Sequence, residues 1–256
     1  MAFCIVNSGV KRIMAVVLVT GSSRGIGFGI AQAFAKEGHT VILNGREDAE
    51  CLANAAEALR STYGGNVMGI CADLSDYQAA KEMFAKIDEV YGHVEILVNN
   101  AGAAHFGLFS DMSPTDVSKV LADNLYTTIN ASHLAIPHMV RAKAGCIINI
   151  TSVWGVVGAS CEVVYSAAKA GVIGLTKALA KEVAPSGVRV NAIACGAFET
   201  RMNDRLTAEE RADFTEGIPL GRFGKPQEVG DLAVFLASQE AGYITGQVIH
   251  IDGGVI

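Results

Sequence analysis

A chain of 256 residues, half of them hydrophobic and 18% charged, can bury a large α/β core and is too apolar for extensive disorder. Its formal charge of −6, with no Lys/Arg-rich block, gives no footprint for a phosphate backbone and makes nucleic acid a poor partner. The six cysteines are widely spaced with no CxxC, the start carries its basic residues after a short apolar patch, and no apolar run reaches roughly 18 residues; these features argue against a disulfide scaffold, a metal site, a signal peptide and a membrane span, so a cytoplasmic protein is expected.

Residues 1–13 read as an N-terminal extension, because the first convincing element, "MAVVLVT", begins at Met14. That continuous apolar run (14–20) ends in a glycine turn, as a strand covered on both faces would. In "GIGFGIAQAFAKEG", Ile26, Ile30 and Phe34 recur at i, i+4 and i+8 and Gly38 supplies a stop, so a helix follows. Strand-like runs continue at 40–44, 67–72, 95–99, 146–151, 188–194 and 247–251, with helical patterns near 48–63, 76–91, 115–142, 163–183 and 226–237. Strands alternating with helices in this way predict a single domain over 14–256 of the Rossmann type: a doubly wound, parallel, seven-stranded α/β sheet with helices on both faces. The longest connection, 195–225, carries a short helical pattern near 201–215 and is expected to be a lid or binding loop.

The first candidate site is "TGSSRGIG" (20–27), which closes a strand and opens a helix, where backbone N–H groups and the helix dipole can hold a pyrophosphate. Gly21, Gly25 and Gly27 let the chain turn and a ligand approach; a glycine turn with no ligand is the plainer alternative. Enzymes that prefer NAD place an acidic residue at the end of the second strand, but here that position reads Asn44-Gly45-Arg46. Arg46 and Arg24 are suited to grip a 2′-phosphate, unless both are simply solvated. "LVNNAGAAHFG" (97–107) brings Asn99, Asn100, Ala101 and Gly102 to the carboxyl edge of the sheet. Asn124 falls on the inner stripe formed by Val117, Val120, Leu121, Leu125 and Thr128, where a structural amide and a water or proton relay are equally open readings.

Ser152 ends the fifth strand, and Tyr165 and Lys169 stand one helical turn apart on one face. A serine hydroxyl, a phenol and an ammonium beside a nicotinamide form a site for carbonyl reduction, in which a developing oxyanion must be stabilised and protonated. The lysine cation is expected to lower the tyrosine pKa. Glu162, three residues before the tyrosine, either complements a helix N-terminus or faces the pocket rim, where it would attract a cationic group on the ketone.

With "TGSSRGIG", "NNAG", Asn124, Ser152 and "YSAAK" in this order, the chain resembles the short-chain dehydrogenases/reductases from about residue 14 to its end. The ending "PLGRFGKPQEVGDLAVFLASQEAGYITGQVIHIDGG" is similar to the branch containing 3-oxoacyl-acyl-carrier-protein reductases. The resemblance implies a tetrad: Tyr165 as general acid, Ser152 polarising the carbonyl, Lys169 holding the nicotinamide ribose and Asn124 fixing a relay water. It implies NADP(H) as cofactor, bound by Gly21, Ser23, Arg24, Gly25, Ile26, Gly27, Arg46, Asn100, Ala101, Gly102, Tyr165, Lys169 and Gly196, with Asp73 at the adenine and Thr200 by the nicotinamide. It also implies a homotetramer with the helices of Asn124 and Tyr165 at one interface, and it places Lys143 and Lys181 near docking positions for an acidic carrier protein. Two departures stand out: Cys195-Gly196 replaces the usual Pro-Gly, and Glu162-Val163-Val164 replaces Gln-x-Asn. "WGVVGASCEVVYSAAK" is also similar to reductases of the 5-aminopentanone group on elongation factor P, and small ketones or steroids complete the substrate choices. The alternative from a different class, a non-catalytic NADP(H) sensor, is disfavoured by the intact tetrad.

Overall fold

Apolar runs that leave no polar face must be covered on both sides, and a parallel sheet between two helical layers does this. The computed structural model describes residues 14–200 and 207–256; the proposed extension 1–13 and residues 201–206 lie outside them. Strands β1 (Val16–Val19), β2 (Thr40–Gly45), β3 (Val67–Cys71), β4 (Ile96–Asn99), β5 (Gly145–Ser152), β6 (Val188–Cys195) and β7 (Val248–Ile251) form one sheet in the order β3-β2-β1-β4-β5-β6-β7. All neighbours pair in parallel. The order reverses between β1 and β4, so the crevice at their carboxyl ends is where ligands settle in such sheets.

Successive strand residues point to opposite faces, and both sets are apolar. Val17, Val19, Val41, Leu43, Val98 and Ile148 pack on one side with α1 (Gly25–Lys36), α2 (Ala49–Tyr63) and α9 (Pro226–Ala237). Leu18, Ile42, Leu97 and Ile147 face the other side, against α3 (Tyr77–Tyr91), α5 (Thr127–Ala142) and α7 (Val163–Val183). Each of these large side chains is fully buried, contributing about 1.5–3 kcal/mol apiece relative to exposure.

Two details depart from the periodicity of the sequence. The helix expected over 115–142 is α4 (Pro114–Leu121), a π-helical turn at Ala122–Tyr126, and α5. Its cause is local: Asn124 Nδ2 donates to the Val120 carbonyl at 3.0 Å, so a side chain competes for a carbonyl that a regular helix would leave to the backbone. A short helix, α6 (Trp154–Val157), follows β5 unannounced, and the described part of the 195–225 connection contains α8 (Ala208–Glu216). Helix α7, continued to Ser186, is long and apolar enough by length and composition to span a membrane, against the expectation that no segment would be. It nevertheless buries Val164, Tyr165, Ala168, Lys169, Val172, Thr176, Ala180 and Val183 within the protein, as a core helix does.

Candidate active site

The turn after β1 is built to leave backbone N–H groups available. Gly21 has φ +60°, and a side chain there would bring its Cβ within 2.7 Å of Ala101 Cα, so only glycine fits. Asn100 Nδ2 donates to the carbonyls of Thr20 (3.0 Å) and Gly21 (2.9 Å), while Thr20 Oγ1 accepts from the amides of Asn100 and Ala101, both at 2.9 Å. The loop after β4 thereby clamps the turn. Helix α1 starts directly from it, with no side-chain cap from Arg24 and no acidic residue in its first turn. A twelve-residue helix whose positive end is neither capped nor neutralised is suited to a pyrophosphate. Ser23, Arg24, Gly25 and Gly27 all lie on this turn or the first helical residues.

At the same edge lies an open cleft, which Ile26, Asn100, Gly102, Asn124, Ser152, Tyr165, Lys169, Gly196 and Thr200 all line. Six different stretches of chain converge there. Ser152 is the last residue of β5, and its Oγ accepts the Trp154 amide at 3.1 Å, which leaves the hydroxyl hydrogen to be donated elsewhere. Tyr165 and Lys169, on α7, are both buried, with Lys169 Nζ 5.7 Å from the phenol ring centre. Lys169 Nζ donates to the Ile150 carbonyl at 3.2 Å, and Thr151 Oγ1 donates to the Lys169 carbonyl at 2.9 Å, so β5 fixes the lysine at both ends. Asn124 has no exposed surface: its Nδ2 donates to the carbonyls of Ala103 (2.8 Å) and Val120 (3.0 Å), and its Oδ1 accepts the Ala103 amide at 3.2 Å. The amide braces the loop after β4, which favours the structural reading of that side chain.

The electrostatics run opposite to the expectation for the phenol. Burial pushes the Tyr165 hydroxyl well above its ordinary value, the charges of Glu162 and Cys195 push the same way, and the hydrogen bond with Ser152 opposes them. Burial also drives the Lys169 ammonium down to about 8. Desolvation of both groups outweighs the attraction of lysine for phenolate, and the phenol is held as a proton donor at neutral pH.

The family model described as enoyl-(acyl carrier protein) reductase matches residues 21–256. The chain is 41% identical over 243 residues to the 3-oxoacyl-[acyl-carrier-protein] reductase FabG of Thermotoga maritima, covering 94% of this chain and 97% of that one. It is 43% identical to the Aquifex aeolicus protein of the same name, covering 94% and 96%. It is also 38% identical to the uncharacterized oxidoreductase YmfI of Bacillus subtilis, covering 93% and 97%. The chain belongs to the short-chain dehydrogenase/reductase family. A crystal structure of a protein from Agrobacterium tumefaciens, described as a candidate gluconate dehydrogenase, superposes on this family member with a TM-score of 0.91 at 34% identity, covering 94% of this chain and 95% of that one.

As a short-chain dehydrogenase/reductase, the protein is an oxidoreductase with a nicotinamide cofactor. Several anticipated residues lie outside the cleft lining. Asp73, two residues past β3, accepts the Ser75 amide and hydroxyl on Oδ1 at 2.9 and 2.8 Å, and both bonds fall on one carboxylate oxygen. Arg46 follows β2, and its Nη1 donates to Asp123 Oδ1 at 2.6 Å. Lys143 and Lys181 are exposed but far from the chemistry of their own chain: Lys181 is sixteen residues beyond Tyr165, ~24 Å along α7, and Lys143 precedes β5, which ends at Ser152. Neither borders the cleft.

Glu162 stands at the N-cap of α7 without a side-chain capping bond, is 8% exposed and lines the cleft. The cleft wall also includes Val153, Trp154, Phe198, Phe214 and Val255, which the motifs did not mark. Only Phe198 and Phe214 had a signal in the sequence, since both lie in the long connection, 195–225, expected to form a lid or binding loop. Cys195 is buried in the wall, and burial pushes its thiol up to about 12.

Proposed function

We propose that the protein reduces a ketone to a secondary alcohol with NADPH, and that the ketone is a 3-oxoacyl thioester carried on acyl-carrier protein. The observation that carries this reading is the convergence of Ser152, Tyr165 and Lys169 on a cleft continuous with the uncapped N-terminus of α1. The names of the Thermotoga and Aquifex relatives support the substrate class. When bound, the nicotinamide supplies the hydride. Ser152, with its hydroxyl hydrogen available, donates to the carbonyl oxygen and polarises it. Tyr165, kept protonated by burial, delivers the proton as the alkoxide forms. Lys169 holds the nicotinamide ribose, and its ammonium, 5.7 Å from the ring centre, stabilises the phenolate left when Tyr165 gives up its proton, while Asn124 keeps the wall of the site in position for a relay water.

The absence of a carboxylate at 44–46, with Arg24 and Arg46 nearby, supports NADPH over NADH, by about tenfold or more, or roughly 1.4 kcal/mol. Exposed Tyr126, Ile129 and Val163, on the segments that carry Asn124 and Tyr165, support assembly as a homotetramer, and the family supports a cytoplasmic location. The test is turnover of acetoacetyl-acyl-carrier protein with each nucleotide. A higher kcat/KM with NADH overturns the cofactor assignment, and no turnover overturns the substrate.

Glu162 favours a second reading: a buried carboxylate in the cleft suits a ketone bearing an ammonium group, as a 5-aminopentanone on elongation factor P would. Matched ketones with and without a terminal ammonium, tested on wild type and Glu162→Gln, decide it. An ammonium preference that disappears in the variant supports this substrate; an unchanged ratio leaves the acyl thioester ahead.

A further inference from the structure

Arg46, assigned above to the 2′-phosphate of the cofactor, is engaged in an ion pair that the motifs did not foresee. Its Nη1 meets Asp123 Oδ1 at 2.6 Å and its Nε meets Glu47 Oε1 at 3.1 Å. The two carboxylates are not equivalent: the Glu47 side chain is 82% exposed, whereas that of Asp123 is 8% exposed. The bond to Asp123 is therefore the less screened of the two. Asp123 also holds Lys119 Nζ on its other oxygen, Oδ2, at 3.1 Å. It sits in the π turn immediately before Asn124, on the segment after β4, while Arg46 comes from the end of β2. Because β1 lies between β2 and β4, the guanidinium reaches across the carboxyl edge of β1, beside the turn that would take the pyrophosphate.

We propose that Asp123 is a cofactor-specificity residue. It competes with the adenosine 2′-phosphate for the Arg46 guanidinium, so that the Arg46–Asp123 pair is a latch that NADPH opens and NADH leaves closed. The proposal rests on the reading of this protein as a nicotinamide-dependent reductase. Two features let the latch open. The Arg46 side chain is 38% exposed and free to swing toward solvent, and Lys119 remains on Asp123 when Arg46 leaves, so no buried carboxylate is stranded. A phosphate dianion gains a charge-assisted, potentially bidentate partner, but only by giving up the bond that the guanidinium already has. Asp123 therefore holds the preference for NADPH below the level that an unengaged arginine would give.

Equilibrium binding of NADPH and NADH to the full chain, read from the fluorescence of the reduced nicotinamide, tests this in wild type, Asp123→Asn, Arg46→Met and the double variant. Asp123→Asn removes the competing charge while keeping the shape, and should tighten NADPH about fivefold while moving NADH less than about twofold. Arg46→Met should weaken NADPH selectively, and in its background Asp123→Asn should bring no gain, since the two residues act as one unit. Should the amide variant fail to fold, Asp123→Ser makes the same measurement. NADPH affinity that is unchanged or weaker in the Asp123 variants overturns the latch while leaving the reductase reading intact. If wild type binds neither nucleotide, both readings fall.

Discussion

Replacing Gly102 by alanine should damage the site far more than one methyl group suggests. An added Cβ would lie 2.6 Å from Asn124 Oδ1 and 3.3 Å from Lys169 Nζ. Carbon–oxygen contacts settle at about 3.3–3.6 Å, so roughly 0.7 Å must be found on the asparagine side. Asn124 cannot supply it cheaply, being fully buried and held by bonds of 2.8, 3.0 and 3.2 Å to the Ala103 and Val120 backbone. Overpacking of this kind costs about 1–3 kcal/mol. For a chain of this size that lowers Tm by roughly 2–10 °C. If the lysine end gives way instead, Nζ leaves the position fixed by the Ile150 carbonyl, and a misplacement approaching 1 Å can lower kcat by about 10²-fold. Thermal unfolding and steady-state ketone reduction are measured together on wild type and Gly102→Ala. The reasoning is refuted if the variant keeps Tm within about 1 °C and kcat within about twofold, because the brace would then be soft.

Tyr165→Phe keeps the ring but removes the donated proton, so kcat should fall about 10²-fold or more while NADPH binding persists; a variant retaining a tenth of wild-type turnover would exclude Tyr165 as the acid. Arg46→Asp should erase or reverse the preference for NADPH in competing-cofactor kinetics, and a retained preference would assign the 2′-phosphate to other residues. Lys169, ordinarily near 10.5 and held at about 8 by burial, binds fewer protons folded than unfolded between those values, so its contribution makes stability rise with pH across that window. The buried thiols of Cys146 and Cys195, raised from 9.0 to about 11 and about 12, act in the opposite sense above pH 9. Between pH 8 and 9 the thiols offset most of the lysine's contribution in wild type, so the change in unfolding free energy over that step, from urea titrations, should be about 1 kcal/mol more favourable in wild type than in Lys169→Met; an identical change in both proteins would show that Lys169 does not contribute.

The strands and most helices were legible in the sequence because their signals are short-range: β-branched runs, a 3.6-residue period, a glycine turn. "VRVNAIA" and "VVYSAAKAGVIGLTKALAKEV" became β6 and α7 almost to the residue. The motif residues Asn100, Gly102, Ser152, Tyr165 and Lys169, which line the cleft, were likewise readable, since each ends or follows a strand or sits one turn from another. What the sequence by itself did not determine depends on partners far along the chain. The strand order places β4 beside β1, and the loop after β4 meets the π turn, where Asn124 bonds Ala103, a contact that no periodicity announces. Burial decides the direction of the Tyr165 shift against the simple expectation from the spacing, and lowers Lys169 as well, because desolvation is set by all the layers that pack over α7. The union of Arg46 with Asp123, seventy-seven positions apart, has no local signal at all; a guanidinium at the end of one strand meets a carboxylate beyond another only once the sheet has set both at the same edge.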